Sequence, residues 1–519
     1  MAHIKTFSYK NLIVKISLIV AVMLLTTTAL KAEEPVFKFF LTMSPQTLNP
    51  AHFYGTETTY LVSNLFRGLY RVDSKKGIVP EGAEKCSWDG LKLKCILNKN
   101  VKWSDGVSVK AQDYERAFRH LINPESKSRE VAHLLKLKNA KKILEGSLKP
   151  EALGVTAQDD FNLIFEFETK DPEFIARLTS TVLVPWRVLP DIKRATEKNI
   201  EILVNGPYKL KNFNNKKAYL VKNDFYPFGN PSRPDVEIYY VEESSTGQNL
   251  FDLGKIDLVH QLVTAFIPKY KDKDMFNVLF SRFDYIGFGP ELEGNIHFRK
   301  ALAMSVDYEE LKKLIYASGM PGCPSLTDTY IDKRQCYTFD VKAAQNELKK
   351  VPKELLEKKL TIKFSRASGE ELSRIIEWYQ NQWKKNLGVN IQIEMIEQGM
   401  YLQDLKTNTP ALFRKGVVLD RPTCLSALET FQKDNVDNFI KFSNENYEKI
   451  LKKLEFSENE KEKKKLCSAG IKILMDEYRI IPQGVLHYTM LKSDRFQGIE
   501  FNELNQLNLC NLRSTRSKR

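Results

Sequence analysis

Between Leu360 and Met395 the spacing of apolar residues changes twice, and this restricts the fold more than any other feature of the chain. Leu360, Ile362 and Phe364 alternate with Thr361, Lys363 and Ser365, the period of two of a strand with one buried face. Ser368-Gly369-Glu370-Glu371 reads as a capping box, and Leu372, Ile375, Ile376, Tyr379, Trp383 and Leu387 share one helix face that Gly388 ends. Val389, Ile391, Ile393 and Met395 then alternate with polar residues as a second strand. Strand, helix and strand in succession make a right-handed parallel crossover the default, so an α/β fold is expected.

Similar punctuation recurs upstream. Asp307 with Glu310 caps a helix through Leu311, Leu314 and Ile315 that is expected to end at Gly319, and Phe161, Leu163, Phe165 and Phe167 mark a strand. The Lys- and Glu-rich stretch 448–465 reads as a solvated helix face. No repeats or low-complexity linkers interrupt this alternation. A chain of 519 residues, 11% of them aromatic, has room and bulk for two or three domains.

The formal charge of +14 suggests nucleic acid until it is located. Lys5, Lys10, Lys15 and Lys31 stand in an N-terminal stretch without acids, and Arg513, Arg516, Lys518 and Arg519 crowd the C-terminus, leaving +6 for residues 33–510. Without a basic stripe interleaved with aromatics, that surplus is surface charge, and no nucleic-acid partner is expected.

Residues 1–32 read as a secretory signal peptide: basic residues to Lys15, an apolar run from Ile16 to Leu25, then small residues, with Ala29 or Ala32 as the last residue removed. The run is shorter than the about 20 residues a membrane span requires. No cysteine follows it for lipid attachment, and no later segment is apolar enough to span. The mature protein is therefore expected to be soluble and exported to a bacterial periplasm. In that oxidising compartment Cys86 with Cys95, and Cys323 with Cys336, are candidate local disulfides, the alternative being buried thiols. The odd total of seven cysteines leaves at least one unpaired.

Seven histidines show no HExxH or clustered metal spacing, and neither a Gly-x-Ser-x-Gly elbow nor a Walker A sequence is present. Gly287-Phe288-Gly289 lacks the third glycine of a dinucleotide loop. Adjacent pairs such as Asp159-Asp160 and Glu242-Glu243 would point to opposite faces of an extended chain. No metal, cofactor or catalytic role is expected, and an exported α/β protein without catalytic signature most often binds a solute.

Residues 103–113 narrow that answer. Trp103-Ser104-Asp105-Gly106 supplies a tight turn, and Ala111, Tyr114, Ala117, Phe118 and Leu121 begin an amphipathic helix. With Asp113 the segment closely resembles the signature of the family 5 extracellular solute-binding proteins, the periplasmic oligopeptide- and dipeptide-binding components of ABC importers. Lys110 departs from it by replacing the Thr or Ser that would cap the helix. Leu48-Asn49-Pro50, Asn64 to Leu69, Asn205 to Leu210, Phe298 to Leu302 and Ile143 to Val155 resemble further family segments in the same order.

The resemblance implies a two-lobed, class II periplasmic-binding-protein-like clamshell with an additional domain. Its first lobe would be discontinuous, 33–66, 186–280 and 487–519, with an extra domain at 67–185 and a second lobe at 281–486. A short peptide would lie between the lobes as an added strand, for delivery to an ABC permease in the inner membrane, and the receptor would be a monomer. Arg414-Lys415-Gly416-Val417-Val418-Leu419-Asp420 resembles the family's ligand strand. It implies Asp420 as partner of the peptide α-ammonium, Arg414 as partner of the carboxylate, Gly416 as a point of close backbone approach, and Val417, Val418 and Tyr54 as pocket lining. Read from the residues alone, the alternative for Asp420 is a turn residue before Arg421-Pro422, and for Arg414 a member of a surface ion pair. In an extended segment these two would face the same side.

Val417 stands where the family usually has Trp, Tyr54 where an acid is frequent, and Leu486 and His487 where tyrosines are usual. Other solutes therefore stay open on the same scaffold: a metal chelate, haem, a sugar or a cell-wall peptide. A sensory adaptor for a membrane receptor and an exported hydrolase are the readings from other classes.

Overall fold

The computed structural model describes residues 35–45, 47–49, 51–52, 56–128, 130–189, 201–270, 274–315, 326, 331, 337–366 and 369–515. The expected signal segment, Tyr54, Gly319, Cys323, Cys336 and the capping Ser368 lie outside these residues, as do the side chains of Leu486 and His487. The chain divides into a short unit, Met1–Val36, and a main unit, Phe37–Arg519, whose architecture follows.

Ten strands form the main sheet: β1 (Phe37–Leu41), β2 (Tyr208–Phe213), β3 (Lys217–Lys222), β4 (Val236–Tyr240), β5 (Leu258–Val259), β6 (Met275–Phe288), β7 (Thr361–Ser365), β8 (Gln392–Ile396), β9 (Leu412–Val418) and β10 (Ile480–Lys492). Their spatial order is β8-β7-β9-β6-β10-β5-β1-β4-β3-β2. The crossover read from the sequence is present, with β7 and β8 pairing in parallel from Thr361 opposite Gln392 to Ser365 opposite Ile396. The helix Gly369–Leu387 joins them, and Gly388 ends it at φ 71°, a left-handed conformation that glycine adopts without steric cost.

Around β6, β9 and β10 the sheet is buried on both faces. Phe283, Tyr285 and Phe413 enter one core with Leu428, Tyr447 and Leu474, whereas Ile286, Leu412 and Ile362 enter another with Phe298 and Trp383. Successive strand residues point to opposite faces, so the neighbours Phe413 and Leu412 serve different cores. The Lys- and Glu-rich stretch forms parts of two helices, Glu445–Phe456 and Glu460–Asp476, where a single solvated face was expected. Asn459 caps the second by accepting from the Lys461 and Glu462 amides, and Leu451, Leu454 and Cys467 are buried between the charged positions.

A third core is shared by β1 and the first half of the chain. It joins Phe37, Trp103, Tyr114 and Phe165 to Val278 and Met490. The long strands β6 and β10 therefore run from this core, at Val278 and Met490, to the other two, at Phe283 to Ile286 and Ile480 to Ile481. Their pairing shifts register between Leu279 and Phe283 and again between Asp284 and Tyr285. A register shift bends a strand and raises its local twist, so the two strands are irregular at the passage between cores.

A separate four-stranded antiparallel sheet holds Ala83–Asp89, Lys92–Leu97, Asn162–Glu166 and Val155–Ala157 in that spatial order. Cys86 and Cys95 face each other across its first hairpin and are bonded, as the spacing suggested. A second disulfide, Cys424 to Cys467, spans 43 residues, and Cys510 is a buried free thiol.

The signature segment is structural. Trp103 is fully buried, and its indole Nε1 donates to Asp113 Oδ2 at 3.0 Å; the Lys110 amide donates to the same oxygen at 3.0 Å. Asp113 thereby holds the first turn of the helix Ala111–Ile122, although Lys110 brings no acceptor to its N-terminus. Gly106, at φ 86°, turns the chain between them. Asp113→Ala leaves a buried indole N–H and a helix-start amide unpaired, so chemical denaturation should read a loss of roughly 2–4 kcal/mol. A loss below about 0.5 kcal/mol would contradict this role for the carboxylate.

Candidate ligand-binding site

Strand β9 carries most of the segment singled out in the sequence. It pairs antiparallel with β6, placing Arg414 opposite Ile286, Gly416 opposite Asp284 and Val418 opposite Arg282. Arg282, Asp284, Arg414, Gly416 and Val418 therefore share one sheet face. Arg414 is buried and pairs with Asp284 through its guanidinium, while Arg282 Nε donates to the other Asp284 oxygen at 3.0 Å. A Cβ at Gly416 would stand 2.4 Å from Asp284 Oδ1 and 2.6 Å from Arg282 Nη2. The room at this glycine is filled by the protein's own ion cluster, where the resemblance implied close approach of ligand backbone.

Lys415 points to the opposite face, its ammonium 5.6 Å from the centre of the Phe439 ring. Burial pushes the Lys415 pKa down, and Arg282, Arg414 and Lys406 add to this against the opposing charge of Asp437. Val417 is partly buried against the core around Phe283, and Val418 is 58% exposed at the strand end. Tyr54 falls outside the described residues.

Extended structure stops at Val418, so Asp420 leaves the strand that carries Arg414, and alternation cannot relate their side chains. The Leu419 amide donates to Ser281 O at 2.8 Å and the chain then bends. At that bend Asp420 Oδ1 accepts from Arg421 Nη1 and Ser426 Oγ, each at 2.7 Å, and Oδ2 accepts from Arg177 Nη1 at 2.9 Å. His133 Nδ1 stands 3.8 Å from the same Oδ2. Burial alone would raise the Asp420 pKa, but Arg421, Arg177, His133 and the Ser426 hydroxyl outweigh it and hold the carboxyl far below the usual range. The Asp420 side chain is still 35% exposed despite these partners.

Arg421 is fully buried. Its Nε donates to Glu173 at 2.7 Å, and Nη1 and Nη2 donate to the two Glu429 oxygens at 2.9 and 2.6 Å. Sequence reasoning placed Arg421 in a turn and missed Arg177, Glu173 and Asp284 altogether. An arginine between Asp420 and Pro422 was the one available signal; the others lie 130 or more residues from their partners.

An α/β chain whose two long strands pass between separate cores, with the part-exposed side chain of Asp420 on the segment after β9, has the frame of a two-lobed solute-binding protein. Residues 77–439 match the family described as "Bacterial extracellular solute-binding proteins, family 5 Middle". The chain belongs to that family, which is non-enzymatic, and has its mixed α/β, class II two-lobed fold with an additional domain. It is 24% identical over 486 residues to the oligopeptide-binding protein OppA of Bacillus subtilis (strain 168), covering 88% of each chain. The structure of the Escherichia coli murein tripeptide binding protein MppA superposes with a TM-score of 0.74 at 22% identity, over 94% of this chain and 99% of that one. Listeria monocytogenes OppA bound to peptide superposes with a TM-score of 0.71 at 23% identity, over 94% and 100%.

Among the described residues no helix is long and apolar enough to cross a membrane, and no three His, Cys, Asp or Glu residues are grouped to hold a metal ion.

Proposed function

We propose that this chain is a periplasmic receptor that captures short peptides between two lobes and delivers them to an ABC permease in the inner membrane. The observation that carries the reading is Asp420, its side chain 35% exposed, at the end of the segment that resembles the family's ligand strand. A ligand strand beside β9 would present its amino end there, and backbone pairing, indifferent to side chains, would accept many sequences. In this reading residues 33–66, 186–280 and 487–519 form the first lobe, 67–185 the extra domain and 281–486 the second lobe. The register shifts of β6 and β10 near residues 280–285 support a hinge at that boundary. Residues 1–32 would direct export, consistent with the periplasmic setting of relatives such as the murein peptide-binding protein MppA of Escherichia coli (strain K12).

Native mass spectrometry of the purified mature protein, followed by denaturing release, tests the proposal. A heterogeneous set of short peptides is expected. One discrete non-peptide mass, or no thermal shift with peptide pools, would replace the peptide by another solute on the same fold.

A further inference from the structure

Asp420 is already neutralised by the protein. Arg177 ends the short helix Phe174–Arg177, which packs in the core around Trp103 and Phe174, whereas Asp420 follows β9, beside the core around Phe413 and Leu428. The Arg177 guanidinium bridges two carboxylates, Nε reaching Asp171 at 3.1 Å and Nη1 reaching Asp420 at 2.9 Å. Asp171 is buried, and Lys136 Nζ lies 3.4 Å from it and 2.5 Å from Glu455. Glu173, four residues before Arg177, accepts from Arg421 and from Thr423 Oγ1 at 2.5 Å. The segment 171–177 therefore meets the Asp420 region through a continuous ionic network.

In a site that depends on a ligand ammonium, a ligand without that ammonium leaves a desolvated carboxylate uncompensated, which weakens binding severely. Here that situation does not arise. A ligand with a neutral amino end leaves Asp420 paired with Arg177, Arg421 and Ser426. A ligand with a free ammonium must share or displace Arg177, which offsets much of the new attraction.

We propose that Arg177 is a built-in counter-ion for Asp420, making the ligand's α-ammonium dispensable, so that the cleft accepts peptides with a blocked, N-acylated amino end about as well as free ones. This rests on the peptide reading above and adds a specificity-determining residue to it.

The test offers the full mature protein a synthetic pool of tri- to pentapeptides, half of it N-acetylated, with the bound fraction quantified by mass spectrometry. For the wild-type protein the free and acetylated forms of each peptide should be retained within about threefold of each other. A receptor dependent on the ammonium would discriminate by about thirtyfold or more. Arg177→Gln should favour the free amine by more than about tenfold, and Arg177→Lys, which keeps the charge, should restore the wild-type ratio. A wild-type preference above about tenfold for free amines overturns the inference. So does an unchanged ratio in a folded Arg177→Gln protein; should that variant fail to fold, the wild-type ratio decides alone. Retention of neither form by the wild-type protein overturns the peptide reading and this inference together, a pattern distinct from retention of both forms with strong discrimination.

Discussion

Arg421→Met should lower the unfolding free energy by about 3–5 kcal/mol, the largest effect expected for a single substitution here. The guanidinium is 0% exposed and serves Glu173, Asp420 and Glu429 at 2.6–2.9 Å, so four of its donors are spent on three carboxylates. Burial disfavours its charge, but Glu429, Asp420 and Glu173 outweigh that and raise the Arg421 pKa well above its ordinary value. Methionine keeps the apolar stem of the arginine and removes the charged end, so the loss comes chiefly from the groups the guanidinium served. What remains is three partly desolvated carboxylates facing one another. Denaturant titration of wild-type and variant proteins measures the difference. In a double-mutant cycle, Glu429→Leu combined with Arg421→Met should lose less than the sum of the two single changes. A change under about 1 kcal/mol would mean that solvent already screens the cluster.

Removal of the Cys424–Cys467 disulfide by paired alanine substitution should cost about 4 kcal/mol, estimated from the entropy of closing a loop of 43 residues. The bond ties the helix Cys424–Leu428 to the helix Glu460–Asp476, and both cysteines are buried in the core that also holds Tyr447 and Leu474. The same formula gives only about 2–3 kcal/mol for Cys86–Cys95, which closes nine residues within one hairpin. The expected ordering is therefore clear. Loss of the longer bridge lowers the denaturation midpoint more than loss of the shorter one, and equal midpoints for the Cys424/Cys467 variant and wild type would refute the argument. Cys424 follows the Asp420 to Thr423 bend directly, so the variant should also loosen the ionic network, which hydrogen exchange at Ser426 would register.

The parts of this fold that could be read in advance share a short range. The crossover from Leu360 to Met395 needed only two changes of period. The Trp103 to Asp113 segment was recognisable by resemblance, and its structural reason, one carboxylate serving an indole and a helix-start amide, acts within ten residues. Cys86 and Cys95 flank a single turn. The charged residues of 448–465 do face solvent on helices, but their composition conceals Leu451 and Leu454 on one buried stripe and an Asn459 cap that divides the stretch into two helices.

By itself, then, the sequence determined an α/β chain of a solute-binding family and the segment around Asp420, because periodicity, capping and signature residues are local properties of the chain. Only the tertiary structure decided what surrounds those residues. It placed Asp284 and Arg282 in the room at Gly416, joined Cys424 to Cys467, and brought Arg177 to Asp420, 243 positions away in the chain. The physical reason is that a carboxylate's charge state and affinity depend on the cations and donors within a few ångströms, whatever part of the chain supplies them, and chain order does not record that proximity.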